Sequence, residues 1–182
     1  MRTQAIIIKK QHSGEYHQMF GCYTQAFGKL TVVAKGSLRM TSKQGMNLDM
    51  LTLVNFELVH GRATPIITGA QQEKTYRQLK ESLPALSIAS FFLEALDKIV
   101  FDLQPDQRLW DFYIQLFDQL DNQPHLASRE FFRAQQAELL KILGYTPHAT
   151  PSPYGLSPMD VVFEETAQRQ FNSLKFIYSV LQ

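Results

Sequence analysis

The hydrophobic repeat of this chain changes once along its length, from short alternating runs to a three- and four-residue spacing. That limits it to a fold with strands first and helices after. Before the change come five short β-type stretches: Gln4 to Lys10 with three consecutive isoleucines, His17 to Thr24, Lys29 to Lys35, Asp49 to His60, and Thr64 to Ala70. Turns separate them at Ala26-Phe27-Gly28-Lys29, where Gly28 is free to take a positive φ, and at His60-Gly61-Arg62. Five strands in this span suit a small antiparallel barrel, because closure removes the exposed edges of a flat sheet. The loop from Gly36 to Gly45 is polar, basic and too long for a tight hairpin, which marks it as a candidate functional segment.

The helical part begins with 71–83 (QQEKTYRQLKESL), which reads as a polar linking helix. Ser87 to Phe101 follows, ended by Gln104-Pro105. Asp106 to Leu120 places Leu109, Trp110, Tyr113, Leu116, Phe117 and Leu120 on one face. Ser128 offers an N-cap to a helix over Phe131 to Leu143, and Gly144 stands where a C-terminal glycine belongs. Residues 146–158 are proline-rich and read as an extended connector, and a last helical stretch closes the chain. The aromatic stripes on these helices are core. The expected organisation is therefore α+β, with a barrel domain over 1–80 and an all-helical domain over 81–182.

Charge divides the same way. Residues 1–80 hold eleven basic and four acidic side chains, a net of +7, and 81–182 hold seven and thirteen, a net of −6. Two domains facing different partners would carry such a split, and a basic barrel attracts polyanions. Lysines and arginines also solubilise a β surface, so charge alone leaves both readings open. No run of about 20 apolar residues is present, and the apolar patch Ala5 to Ile8 is too short for a signal-peptide core, so the cytoplasm is the expected compartment. The single cysteine, Cys22, allows no internal disulfide and no Cys-rich zinc site, and lies in a strand where it reads as a small buried apolar residue.

The residues supply no reaction chemistry. Gly28-Lys29 lacks the earlier glycine and the following Ser or Thr of a phosphate-binding loop, and no Gly-x-Ser-x-Gly nucleophile turn occurs. The five histidines show no metal-binding spacing, and Asp97, Asp102, Asp106, Asp111 and Asp118 read as solvated helix faces. A non-enzymatic binding protein, with no catalytic residue, metal or cofactor, is what remains. On a small barrel, Lys9, Lys10, Lys29, Lys35, Arg39 and Lys43 can hold backbone phosphates, and Tyr16, Phe20, Tyr23 and Phe27 are the aromatic candidates for base stacking. Strand alternation sends about half of such residues into the core.

One family fits the order of these features. Ala5-Ile6-Ile7-Ile8-Lys9, Gly14-Glu15, Tyr23-Thr24, Phe27-Gly28-Lys29 and Val33-Ala34-Lys35-Gly36-Ser37 with Arg39 and Ser42 resemble the N-terminal barrel of the RecO family of recombination mediators. Asn47-Leu48 through Leu58 resembles the family's next strand, with Met50-Leu51 where a proline is often found. Glu138 to Tyr145 with Pro147 resembles its Leu-Gly-Tyr helix end, and Asn172 to Ile177 its last helix. The chain is shorter than usual for the family, and the connector stands where many members carry a four-cysteine zinc module.

The resemblance implies an OB-fold barrel followed by a helical domain, placed in the bacterial cytoplasm at the nucleoid. It implies binding of single- and double-stranded DNA, annealing of complementary strands and help in loading recombinase. The implied partners are single-stranded-DNA-binding protein, through its acidic C-terminal tail, and RecR. By position Lys35, Arg39 and Lys43 match the family's basic segment. Arg133 matches a basic position implicated in holding the tail, and Arg129 lies one helical turn away. Pairing of both arginines with Glu130 or Asp121 is the competing reading. The rival for the whole protein is an adaptor whose barrel holds an acidic protein and no DNA.

Overall fold

A computed structural model describes residues 1–13, 17–35, 48–145 and 157–181. Its described residues fall into two compact units, one made of 1–75 with 100–106 and one of 76–99 with 107–182.

The first unit is a closed five-stranded barrel of OB type in the order β1-β2-β3-β5-β4. The strands are β1 (Arg2–Ser13), β2 (His17–Thr24), β3 (Gly28–Ala34), β4 (Leu53–Val59) and β5 (Ile66–Lys74). β1 serves two neighbours. Arg2 to Ile6 pairs with β4, and Ala5 to Ser13 pairs with β2 across a register shift between Ile7 and Lys9. A bulge of this kind bends and twists a strand, which lets one long strand close a sheet. Inward residues alternate as the pleat requires: Ala5 and Ile7, Phe20 and Cys22, Val32 and Ala34, and Val54, Phe56 and Leu58 share one buried cluster. Burial pushes the Cys22 thiol far above its ordinary range, so it is an inert core residue.

Residues 100–106 complete this unit. Leaving the helix before it, the chain runs back along the barrel as a strap, with Asp102 bridged in parallel to Lys29 and the Leu103 N–H donating to the Lys29 carbonyl at 2.9 Å. The buried Tyr23 hydroxyl donates to the Asp106 carbonyl at 3.3 Å, and burial pushes this phenol up to about 12. Asp102 and Asp106 thus lie on the strap and not on helix faces. The strand β5 also runs to Lys74, so of the expected linking helix only Arg77–Glu81 and Leu83, where the next helix begins, are helical.

The second unit holds α1 (Arg77–Glu81), α2 (Leu83–Ile99), α3 (Gln107–Asn122), α4 (Arg129–Ile142), α5 (Pro158–Ala167) and α6 (Asn172–Val180). α2 is buried over a wide face because it sits centrally. Phe91 packs its ring 5.0 Å from Phe132, 5.0 Å from Phe163 and 5.2 Å from Phe171, and the Tyr113 hydroxyl donates to the Phe92 carbonyl at 3.0 Å. Ser128 caps α4 as its position implied, accepting the Phe131 N–H at 3.2 Å, and Gly144 takes φ 82°. Pro158 is not connector but the first residue of α5, which opens with a reciprocal Ser157/Asp160 cap. The expected single last helix is two, broken at Gln168 in the left-handed region. The rest of the connector, 146–156, lies outside the described residues.

α6 has no cap of its own, and α2 supplies one. The Glu94 carboxylate accepts the Asn172 N–H at 3.0 Å and the Ser173 N–H at 2.9 Å, and pairs with Lys98 at 2.6 Å. Burial alone would raise the Glu94 carboxyl, but Lys98, Ser173 and Asn172 outweigh it and hold it below the usual range. A depressed folded value stabilises above the unfolded pKa and is lost as pH falls through the folded one. Glu94→Gln should therefore cost about 1 kcal/mol at neutral pH, the size of a lost helix cap. The difference should shrink as pH drops below the carboxylate range, as urea melts at pH 7 and pH 3 would show.

Candidate nucleic-acid interface

The register sorts the barrel lysines by face. Lys9 stands opposite Gly21, which stands opposite Thr31, and Lys29 lies two residues from Thr31 on β3, so these share the outer face. Gly21 gives the Lys9 stem its place: a Cβ there would meet Lys9 Cγ at 2.8 Å. Lys10 is on the opposite face, its ammonium 5.9 Å from the Phe20 ring centroid and 3.6 Å from an Asp49 carboxylate oxygen. Lys29 is 17% exposed and sits 3.2 Å from Asp102. Lys35 follows β3 directly and is exposed. Arg39, Lys43 and the loop that carries them lie outside the described residues, as does Tyr16.

Of the aromatic candidates, Phe20 and Tyr23 are buried and present no ring to a base. Phe27 is half-buried at the turn before β3. Arg62, exposed on the loop between β4 and β5, is a cation the sequence did not single out. Its place after Gly61 was the available signal.

The charge split also changes. Counted by compact unit, the barrel and strap carry nine basic and six acidic side chains, a net of +3, and the helical unit nine and eleven, a net of −2. Arg77 and Lys80 go to the helices, and Asp102 and Asp106 to the barrel.

In the helical unit, Arg129 and Arg133 are exposed on α4. The Arg129 guanidinium lies 5.3 Å from the Tyr178 ring centroid, a cation–π contact. Burial first, and then Asp160, which accepts the Tyr178 hydroxyl, push that phenol up to about 12. Glu130 is held below the usual range by backbone and Ser128 donors and by the charges of Arg133 and Arg129. Asp121 instead accepts the Leu79 N–H at 2.9 Å. Among the described residues no group of three or more His, Cys, Asp or Glu side chains could hold a metal ion, and no helix is long and apolar enough to cross a membrane.

A closed OB-type barrel joined to a helical unit, with lysines on the outer face of the barrel, defines an OB-type barrel protein. Residues 1–91 match the family model described as "Recombination protein O N terminal", and 80–151 the model "Recombination protein O C terminal". The chain belongs to the RecO family. It is 26% identical over 150 residues to "DNA repair protein RecO" of Thermoanaerobacter sp. (strain X514), covering 81% of this chain and 59% of that protein. It is 29% identical over 145 residues to the protein of that name from Geobacter metallireducens, covering 79% and 58%. The match to the Alkaliphilus metalliredigens protein is 24% over 156 residues, covering 82% and 61%. The chain thus spans about three fifths of the length of the curated relatives it matches.

Gly28 fixes the strap against the barrel. It adopts φ +70°, and a Cβ there would lie 2.4 Å from the Gln104 carbonyl oxygen. Gly28→Ala should lower stability by roughly 1–2 kcal/mol from the left-handed backbone alone, and by more through displacement of the strap, measured by thermal or urea unfolding.

Proposed function

We propose that this chain is a DNA-binding recombination mediator in DNA repair, working without catalysis at the nucleoid in the bacterial cytoplasm. The carrying observation is the match of 1–151 to the two RecO family models, on a barrel whose outer face bears Lys9 and Lys29 with Lys35 beside it. In this reading the barrel domain, 1–80, holds single- and double-stranded DNA. The helical domain, 81–182, holds protein partners: the acidic tail of single-stranded-DNA-binding protein at Arg133 and Arg129, and RecR.

Annealing needs little chemistry. Two like-charged strands must be neutralised and brought together while their bases stay available for pairing. Lysines along one face neutralise phosphates, and each phosphate contact releases counterions, so affinity falls with salt. Recombinase loading would follow from holding the coating protein's tail while DNA occupies the barrel.

Anisotropy of a fluorescent single-stranded oligonucleotide across a salt series tests the reading. Micromolar or tighter binding with a steep salt dependence and no sequence preference is expected, and no binding at low salt overturns the DNA role in favour of a protein adaptor. Lys35→Ala and Arg39→Ala should each weaken binding across sequences and lower the salt slope by roughly one. An unchanged slope in both would remove this segment from the interface. Arg133→Ala should weaken capture of an acidic tail peptide severalfold and leave oligonucleotide affinity unchanged; equal capture by both proteins removes the arginine from that role.

A further inference from the structure

The barrel's weakest closure is between β3 and β5, where a single pair, Val33 with Ile66, joins two parallel strands among the described residues. The outer edge of β3 is consequently divided. Its lower end is taken by the strap, through Leu103 N–H to the Lys29 carbonyl at 2.9 Å. Its upper end is taken by Pro65, whose carbonyl accepts the Val33 N–H at 2.9 Å. Residues 29, 31 and 33 point their backbone groups to one edge, as alternation in a regular strand requires. Thr31 therefore turns both its N–H and its C=O into the gap, and neither has a partner among the described residues.

A cleft of about 510 Å³ lies over this gap. Phe27 and Leu103 wall one side, and Ala63 and Pro65 the other. Both walls are set by glycines. Gly28 lets the strap approach, and at Gly61 a Cβ would fall 2.1 Å from the Thr64 carbonyl oxygen. Leu103 itself takes φ 59°, an uncommon conformation for a non-glycine residue, and the chain turns there toward Gly28. Leu103 stays 65% exposed although it lines the cleft. Arg62 is exposed on the loop that forms the far wall, and Lys29 is at the near one.

We infer that this cleft holds one unpaired nucleobase of a single strand, its edge on the Thr31 backbone and its face against Phe27 and Leu103. The inference rests on the nucleic-acid reading above. Once unpaired, every base shows a donor next to an acceptor, which is what one strand residue offers in complement, so the match is tolerant of sequence. The walls are apolar with few polar groups, as ligand sites are, and the size suits a nucleoside rather than a long peptide. Lys29 lines the cleft, paired with Asp102, and Arg62 is exposed on the loop that carries Ala63, so these are the cations nearest in sequence to its walls. Phe20 and Tyr23 are buried and offer a base no open ring, whereas Phe27, half-buried, lines this cleft.

Two probes of equal length separate base from phosphate: oligo(dT) and an abasic deoxyribose-phosphate oligomer. Wild-type protein should bind oligo(dT) about tenfold more tightly, the scale of stacking one base. Ala63→Trp fills the cleft from an exposed loop position. It should reduce oligo(dT) affinity to the abasic level and leave abasic affinity as it was. Thr31→Pro, which removes the edge N–H together with the Thr side chain and fixes φ, should lower the ratio as well at a matched melting temperature. Survival of the full preference in Ala63→Trp, with its melting temperature unchanged, overturns the inference. A wild-type ratio of one with abasic binding intact also overturns it, leaves the phosphate-binding reading standing and turns the cleft toward an extended peptide. Failure of wild-type protein to bind either probe overturns both.

Discussion

Barrel closure depends on one strand serving two neighbours. β1 gives its first residues to β4 and its last to β2, and the register shift after Ile7 supplies the bend that makes this possible. With four of five seams long and antiparallel, the remaining mismatch is concentrated where β3 meets β5 in one parallel pair. The loose seam is thus a product of the tight ones. Among the described residues the strap and Pro65 take parts of the β3 edge, and the Thr31 backbone between them has no partner. The candidate base cleft lies at this seam, where a single parallel pair closes the barrel among the described residues.

Sequence reading reached the barrel because strand periodicity and glycine turns are local signals. His17–Thr24 is a strand with the bounds its residues implied, and Gly28 takes the positive φ its turn required. Helix ends marked by Ser128 and Gly144 were legible for the same reason. The strap was not. Residues 100–106 sit between two helical patterns, and their bridge to Lys29 is a contact across some 70 positions that no periodicity encodes. Pro158 is continuous in composition with the prolines before it, yet a proline in a first helical turn behind a capping serine is a start signal. The break at Gln168 lay hidden because no glycine or proline marks it.

The site was legible only as a list of cations. Sequence named Lys9, Lys10 and Lys29 together, yet a one-residue step separates Lys9 from Lys10 by a whole sheet face, and an aspartate far along the chain sits on Lys29. Phe20 and Tyr23 are both buried for different reasons: Phe20 faces the barrel core, and Tyr23, on the face of Lys29, is covered by the strap that sequence did not show. The net charge of the barrel is smaller than its stretch of sequence suggested, because the strap brings two aspartates to it and Arg77 and Lys80 belong to the helical unit. Placement matters more than total charge here: Lys9 and Lys29 share the outer face, with Asp102 against Lys29.

The strap also ties the barrel to the order of synthesis. Strands β1 to β5 are complete at Lys74, but the groups that cover Tyr23, Gly28 and Lys29 come from residues 102–106, on the far side of the whole of α2. A nascent chain that has emitted all five strands still has an unfinished barrel, and finishes it only after the first long helix has left the ribosome. The two units are therefore interleaved along the sequence and in the order of synthesis.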